Sequence, residues 1–290
     1  SSLTITLGSE NSSLLANIGS GSASSFQNVV LKRIDDNKIL KVYHRIQSGI
    51  DSIQASVITV SGSSLTDNTE YQISSKKLEY GMKVAQDPSD SNKFIILYNT
   101  NDSTEGQYGA CRHITVSGTT VSVGSYVNTG WSAKNTHIME SEILLISSTK
   151  FILMTRKRWG DNSGKMVYNI GTVSGTTLTL SSDTEVSDMP DSGSLNLHAS
   201  QRLNDTNFVL GINKSDNFQY VSGVFDGSSS ITFGTITNPS DDNTKRTNNT
   251  AQSFDFTDRR SDGNIICFFG HEDGLNGGQG VSDHAWSMVS

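Results

Sequence analysis

The sequence predicts an all-β repeat fold, a five-bladed β-propeller of four-stranded antiparallel blades, and three observations carry it. First, the phrase Thr-Val-Ser-Gly stands at residues 59–62, 115–118 and 172–175, with an altered copy at 224–227 and a shortened one at 288–290. Second, a polar turn running into a predominantly apolar stretch occurs five times. Third, no segment sustains apolar residues at helical spacing, while short apolar runs bounded by Asn, Asp, Gly and Ser abound. Gly62, Gly118, Gly175 and Gly227 follow one another at intervals of 56, 57 and 52 residues. A period in that range marks a propeller or solenoid rather than an ordinary globular domain.

Each repeat reads as four strands. The second strand is the clearest: apart from Lys41, residues 39–43, 94–98, 151–154, 208–211 and 265–269 are apolar, and each run follows a polar turn, such as Asp35 to Lys38 or Asn204 to Asn207. A strand without a polar face is expected between neighbouring sheets. In the second repeat the first strand is predicted over 78–85, the second over 94–99, the third over 108–116 and the fourth over 119–127. The Ser-Gly pair between third and fourth strands is a two-residue hairpin in which glycine takes positive φ without a Cβ clash. The fourth strand alternates Ser or Thr with Val, Leu or Ile, the pattern of an outer strand with one wet face.

The ends of the chain fit one another. Ser1 to Gly8 reads as a fourth strand without a third, and His284 to Ser290 as a third without a fourth. The N-terminal strand is therefore expected to complete the last blade and remove an exposed edge. The predicted single domain spans 1–290, with units at about 9–70, 71–127, 128–186, 187–236, and 237–290 plus 1–8. Ser1 in place of methionine suggests a processed segment or a trimmed chain.

Composition excludes several classes. With 34% hydrophobic and 18% charged residues, 26 Gly and 3 Pro, the chain reads as globular rather than disordered or collagen-like. Nothing approaches the run of roughly 20 apolar residues a membrane helix requires, so no membrane insertion is expected. A net charge of -7 and scattered basic spots at 76–77, 156–158 and 259–260 argue against nucleic acid. Cys111 and Cys267 fall in non-neighbouring units and are read as buried apolar residues, not as a disulfide.

Function is expected on the face that carries the long, variable crossovers and loops, because loops on a rigid scaffold are where binding usually sits. The third unit is richest there, with Trp131 and Lys134 before its first strand and Arg158, Trp159 and Asp161 after its second. Indole rings beside charged groups suit a sugar, whose C–H face stacks while its hydroxyls take directional bonds. The other reading of either Trp is a wedge between blades, and Trp286 is read as core. The loop from Glu272 to Gly280 has an oxygen-rich composition that Ca²⁺ could use, but it lacks alternating carboxylates and reads as a plain glycine-rich loop. The six His residues show no clustering that would hold a transition metal, so neither a metal nor another cofactor is expected.

An enzymatic alternative rests on Glu79, Glu140, Glu142 and Asp255, all on predicted first strands. Five-bladed propellers include glycoside hydrolases whose carboxylates project from inner strands, and such chemistry needs two carboxyls with different protonation. A lectin with one equal site per blade is disfavoured, because Trp131 and Trp159 have no counterparts in the other units.

The composite of an Asp-Asn-Lys or Thr-Lys turn, an apolar strand ending in Tyr, and Thr-Val-Ser-Gly-Thr-Thr-Val-Ser resembles the repeats of propeller-like surface and tail proteins of bacteriophages, particularly marine ones. The resemblance spans nearly the whole chain. It implies a virion-surface or extracellular module, with host surface glycan or receptor and other virion structural proteins as partners. A homo-oligomer is implied by analogy with fibres, and no catalytic residues carry over. The expectation is therefore a non-enzymatic binding or structural module acting through the long-loop face. The alternative is a glycoside hydrolase or lyase acting on polysaccharide.

Overall fold

The computed structural model describes residues 29–47, 50–100, 102–105, 109–131, 141–156, 165–186, 196–214, 217–237, 254–256, 264–272 and 281–289. Among them every regular element is a strand, and all pairing is antiparallel. The first sheet has the order β1 (Val29–Asp35), β2 (Lys38–Gln47), β3 (Ile50–Ser61), β4 (Ser64–Asp67), with β5 (Tyr71–Ser74) also on β3. The second is β6 (Leu78–Asp87), β7 (Asp90–Thr100), β8 (Ala110–Ser117), β9 (Thr120–Asn128). The third is β10 (Ser141–Ser147), β11 (Lys150–Arg156), β12 (Met166–Ser174), β13 (Thr177–Leu180), with β14 (Thr184–Glu185) also on β12. The fourth is β15 (Asn196–Arg202), β16 (Asn207–Lys214), β17 (Asn217–Phe225), β18 (Ile231–Phe233). The fifth contains β19 (Phe254–Phe256), β20 (Asn264–Glu272) and β21 (Val281–Val289).

Local chemistry explains the meanders. The hairpin glycines 62, 118, 175 and 227 have φ of 59°, 61°, 61° and 87°, a region that costs any residue with a Cβ. The altered copy before Gly227 keeps its turn through Asp226, whose carboxylate accepts the main-chain N–H of Ser228, Ser229 and Ser230 at 2.8–3.0 Å. The turns before the apolar strands use the same device. Asp35 accepts from Asn37 N at 2.8 Å, Asp87 from Ser89 N at 2.8 Å, and Asn204 from Thr206 N at 2.9 Å.

The fourth strand is the single strand expected in the second sheet, as β9, but not in the first, third and fourth sheets. In the first sheet it is split into β4 and β5, because Asn68 turns inward and both its main-chain N–H and its side-chain Nδ2 donate to the Val57 carbonyl, at 3.0 and 2.7 Å. Residues 71–74 consequently pair with the first sheet rather than opening the second. In the third sheet Ser181 Oγ takes the Ile170 N–H at 2.9 Å between β13 and β14. In the fourth, β18 ends at Phe233 and pairing resumes as one bridge between Tyr220 and Thr237.

The chain divides into two compact units, Ser1–Asn128 with Ser174–Leu178, and Thr129–Val173 with Thr179–Ser290. In the first unit β1 lies against β6 and β7, while β9 lies against β3 and β5. The core between these two sheets joins Leu40, Val42, Ile53, Ala55 and Val57 to Met82, Val84, Phe94, Ile96 and Tyr98. Each large side chain buried there contributes about 1.5–3 kcal/mol of transfer free energy. Gln86 on β6 adds a polar tie, donating to the Arg33 carbonyl of β1 at 2.7 Å.

In the second unit β10 lies beside β15 and β15 beside β19, so the first strands of three consecutive sheets are neighbours. Leu144, Ile152, Met154 and Tyr168 of the third sheet share a core with Leu197, Phe208, Leu210 and Val221 of the fourth. Ser200 contacts Glu142 and Arg202 contacts the Ile146 carbonyl, so β10 and β15 ascend in the same direction. Stacked meanders whose first strands run side by side are a propeller-like arrangement. The predicted closing strand, Ser1 to Gly8, lies outside the described residues.

Candidate functional site

In the second unit, β10 and β11 pair with Ser141 opposite Thr155 and Glu142 opposite Met154. The start of β10 and the end of β11 therefore lie at the same end of the third sheet. Glu142 is the second residue in from that end. Its side chain is buried, with the residue 6% exposed, and its Oε2 accepts a hydrogen bond from Ser200 Oγ of β15 at 3.0 Å. Alternation along β10 puts Glu142 on the face that packs toward the fourth sheet, in line with Leu144. One strand further on, Asp255 holds the middle of β19, opposite Phe268. Arg202 fixes the same strand pair, its Nε donating to Ile146 O at 2.8 Å while its guanidinium pairs with Asp205.

Of the other carboxylates read from the sequence, Glu79 is exposed on β6, where pairing skips between Leu78 and Met82. Glu140 lies outside the described residues. Trp131 is 2% exposed, and its Nε1 donates to Asn169 Oδ1 of β12 at 2.7 Å. Asn169 in turn donates to Ser181 O at 3.0 Å. With its N–H satisfied and its ring enclosed, Trp131 packs the sheet. Lys134, Arg158, Trp159 and Asp161 fall outside the described residues, as do positions 273–280 of the glycine-rich loop. Among the described residues no group of three or more His, Cys, Asp or Glu is placed to hold a metal ion.

The first unit carries a polar network that the sequence reading missed. Tyr98, at the end of the apolar run of β7, donates to Glu105 Oε1 at 2.8 Å. Arg112 on β8 donates through Nε to the Tyr98 oxygen at 2.9 Å, through Nη2 to Glu105 Oε1 at 3.0 Å and through Nη1 to Gly124 O at 3.1 Å. Burial pushes the Tyr98 phenol well above its usual range. Beside this network Asp102 accepts Lys76 Nζ at 2.6 Å and the N–H groups of Thr104 and Glu105 at 2.9 and 3.0 Å. The Lys76 bond, followed by those from Thr104 and Glu105, holds Asp102 far below the ordinary carboxylate range.

The first sheet repeats the theme, with the Tyr43 phenol donating to Glu70 and Arg45 Nη1 bonding Glu70 at 2.5 Å. The only signal in the sequence was a Tyr closing the first two apolar runs, Tyr43 and Tyr98. Its acidic partners sit at unrelated offsets, 27 residues on for Tyr43 and 7 for Tyr98.

No protein-family model and no curated protein matches this chain. Solved structures similar to it include the catalytic domain of the GH62 α-L-arabinofuranosidase of Coprinopsis cinerea, 10% identical over 93% of this chain and 92% of that one, TM-score 0.41. Another is a glycosyl hydrolase of Bacteroides ovatus, 9% identical over 90% and 83% of the two chains, TM-score 0.42. A third is a post-proline cleaving enzyme of Rickettsia typhi, 9% identical over 90% of this chain and 35% of that one, TM-score 0.44. The expectation of a non-enzymatic binding or structural module is corrected here: the similar solved structures named above are enzymes, two of them glycoside hydrolases.

Proposed function

We propose that this chain cleaves glycosidic bonds in a polysaccharide, with Glu142 and Asp255 as its pair of carboxyls. The observation that carries the reading is the setting of Glu142. It is a buried acid on the first strand of its sheet, steadied by Ser200 of the adjoining first strand, near the end of the sheet where β10 begins and β11 ends. Asp255 stands on β19, the first strand of the fifth sheet, which neighbours β15. Hydrolysis needs one carboxyl to protonate the glycosidic oxygen as the C–O bond breaks. The second carboxylate either takes the proton of the attacking water or first forms the glycosyl bond itself. Ser200 donates to Glu142 and so supports the orientation of that carboxyl.

The fold that goes with this reading is a closed ring of five blades, the last completed by Ser1 to Gly8. Lys134, Arg158, Trp159 and Asp161, on the two segments that flank the β10–β11 pair, are assigned the glycan contacts. The resemblance of the repeats to phage surface proteins supports an extracellular or virion-exposed setting and a cell-surface polysaccharide as substrate.

The test is release of reducing ends from a panel of bacterial and algal polysaccharides by the purified chain, alongside Glu142→Gln and Asp255→Asn. Each variant should lose about 10²–10⁴ in kcat while keeping the parent's circular dichroism spectrum and melting curve. Absence of cleavage across the panel, or full activity in both variants, would overturn the assignment.

A further inference from the structure

We propose that Tyr126 on β9 is an open platform for a neutral glycan chain, on a different unit from the carboxylates assigned above. For its class of ligand the inference rests on the glycan reading.

Tyr126 is an exposed aromatic side chain, at 40%. It lies directly across the ladder from Arg112, whose guanidinium sits 5.3 Å from the ring centroid. That guanidinium is itself held by Tyr98, Glu105 and Gly124 O. The ring is thus braced from below by a buried ionic network, with little rotamer freedom left to lose on binding.

Polar groups lie in the same region of the second sheet. The Lys76–Asp102 pair is near enough for Tyr126 to contribute to the Lys76 electrostatics. Asn128, two residues along β9, donates to Thr104 O at 2.9 Å. A pyranose laid on such a ring buries its C–H face against the aromatic and turns its hydroxyls toward an ammonium, a carboxylate and an amide.

Charge selects the ligand. Lys76 is matched by Asp102 and Arg112 by Glu105, so these four groups leave no net charge to attract a uronate or a sulfate. A neutral hexose or pentose chain fits this balance.

The experiment is isothermal titration with laminarihexaose, cellohexaose and xylohexaose as neutral probes and hexagalacturonate as the acidic one. The parent, Tyr126→Ala, Tyr126→Phe and Val224→Ala are compared, Val224 being an exposed apolar residue on β17. At least one neutral probe should bind the parent, bind Tyr126→Phe and Val224→Ala within about twofold of it, and bind Tyr126→Ala about tenfold more weakly. No binding of any neutral probe, equal binding by Tyr126→Ala, or a preference for hexagalacturonate would overturn the proposal. Binding without polysaccharide cleavage would fail only the hydrolase reading. Cleavage without Tyr126-dependent binding would fail only the platform.

Discussion

Phe151 lies with its ring over Gly171, its direct partner across the β11–β12 ladder, so closely that a Cβ on that glycine would fall 2.1 Å from the ring. Phe208 covers Gly223 in the same way on the fourth sheet, at 2.2 Å. The glycine leaves a slot in the third strand and the aromatic of the second fills it, an arrangement that recovers buried area a glycine alone would forfeit. Gly171→Ala should therefore lower unfolding free energy by about 1–3 kcal/mol in urea titration, since the enclosed ring has no room to withdraw. Adding Phe151→Leu should recover part of that loss, a coupling expected only between touching residues. Strictly additive costs would show that the ring does not occupy the slot.

Two buried histidines make a second residue-scale argument. His113 keeps a buried Nδ1 with no hydrogen-bond partner, and burial, with Lys93 adding to it, lowers its pKa below 6.5. Burial also lowers His44, and Lys77 adds to that effect while Asp51, 3.2 Å away, opposes it. Both imidazoles are held neutral in the fold but protonate near 6.5 once unfolded, so the unfolded chain binds more protons below that pH. Their contribution is fully present above about pH 6.5 and is lost as pH falls toward the folded values. The urea midpoint should fall between pH 7.5 and 5.5, a window above the titration of the paired aspartates, whose pKa values are lowered from 3.8. A midpoint constant across it would contradict the assignment.

At the scale of elements, the sequence was most informative where one residue type serves one backbone need. Positive φ at Gly62, Gly118 and Gly175 and the carboxylate turns at Asp35 and Asp87 are local requirements, and the predicted strands of the second repeat match β6 to β9 closely. The splitting of the outer strand was not readable, because Asn68 and Ser181 act through main-chain partners 11 residues away, Val57 and Ile170. The site divides along the same line. The first-strand position of Glu142 follows from the repeat, but its partner Ser200 belongs to the next sheet and is one Ser among many. Trp131 drew attention by its type, whereas its buried setting depends on Asn169, 38 residues on. Tyr126 and Arg112 share a cross-strand pair that becomes visible only when the register, bulge included, is known.

For the whole molecule, the parallel course of β10 and β15 states how successive sheets are related within a unit. Each meander offers its first strand to the next, and polar ties such as Gln86 to Arg33 O and Arg202 to Ile146 O reinforce the join. An array built this way leaves unpaired edges and uncovered faces unless it closes, and closure by the N-terminal strand is part of the proposed reading. Removing Ser1 to Gly8 should then expose the free side of the last third strand, β21, and loosen the join it completes. Differential scanning calorimetry should show Tm lowered by more than about 5 °C. Adding the octapeptide Ser-Ser-Leu-Thr-Ile-Thr-Leu-Gly in trans should restore part of that loss, because strand addition to an open edge uses the same ladder bonds. An unchanged Tm on deletion would mean that the first eight residues are no part of the last sheet, and the five-bladed closure would have to be abandoned.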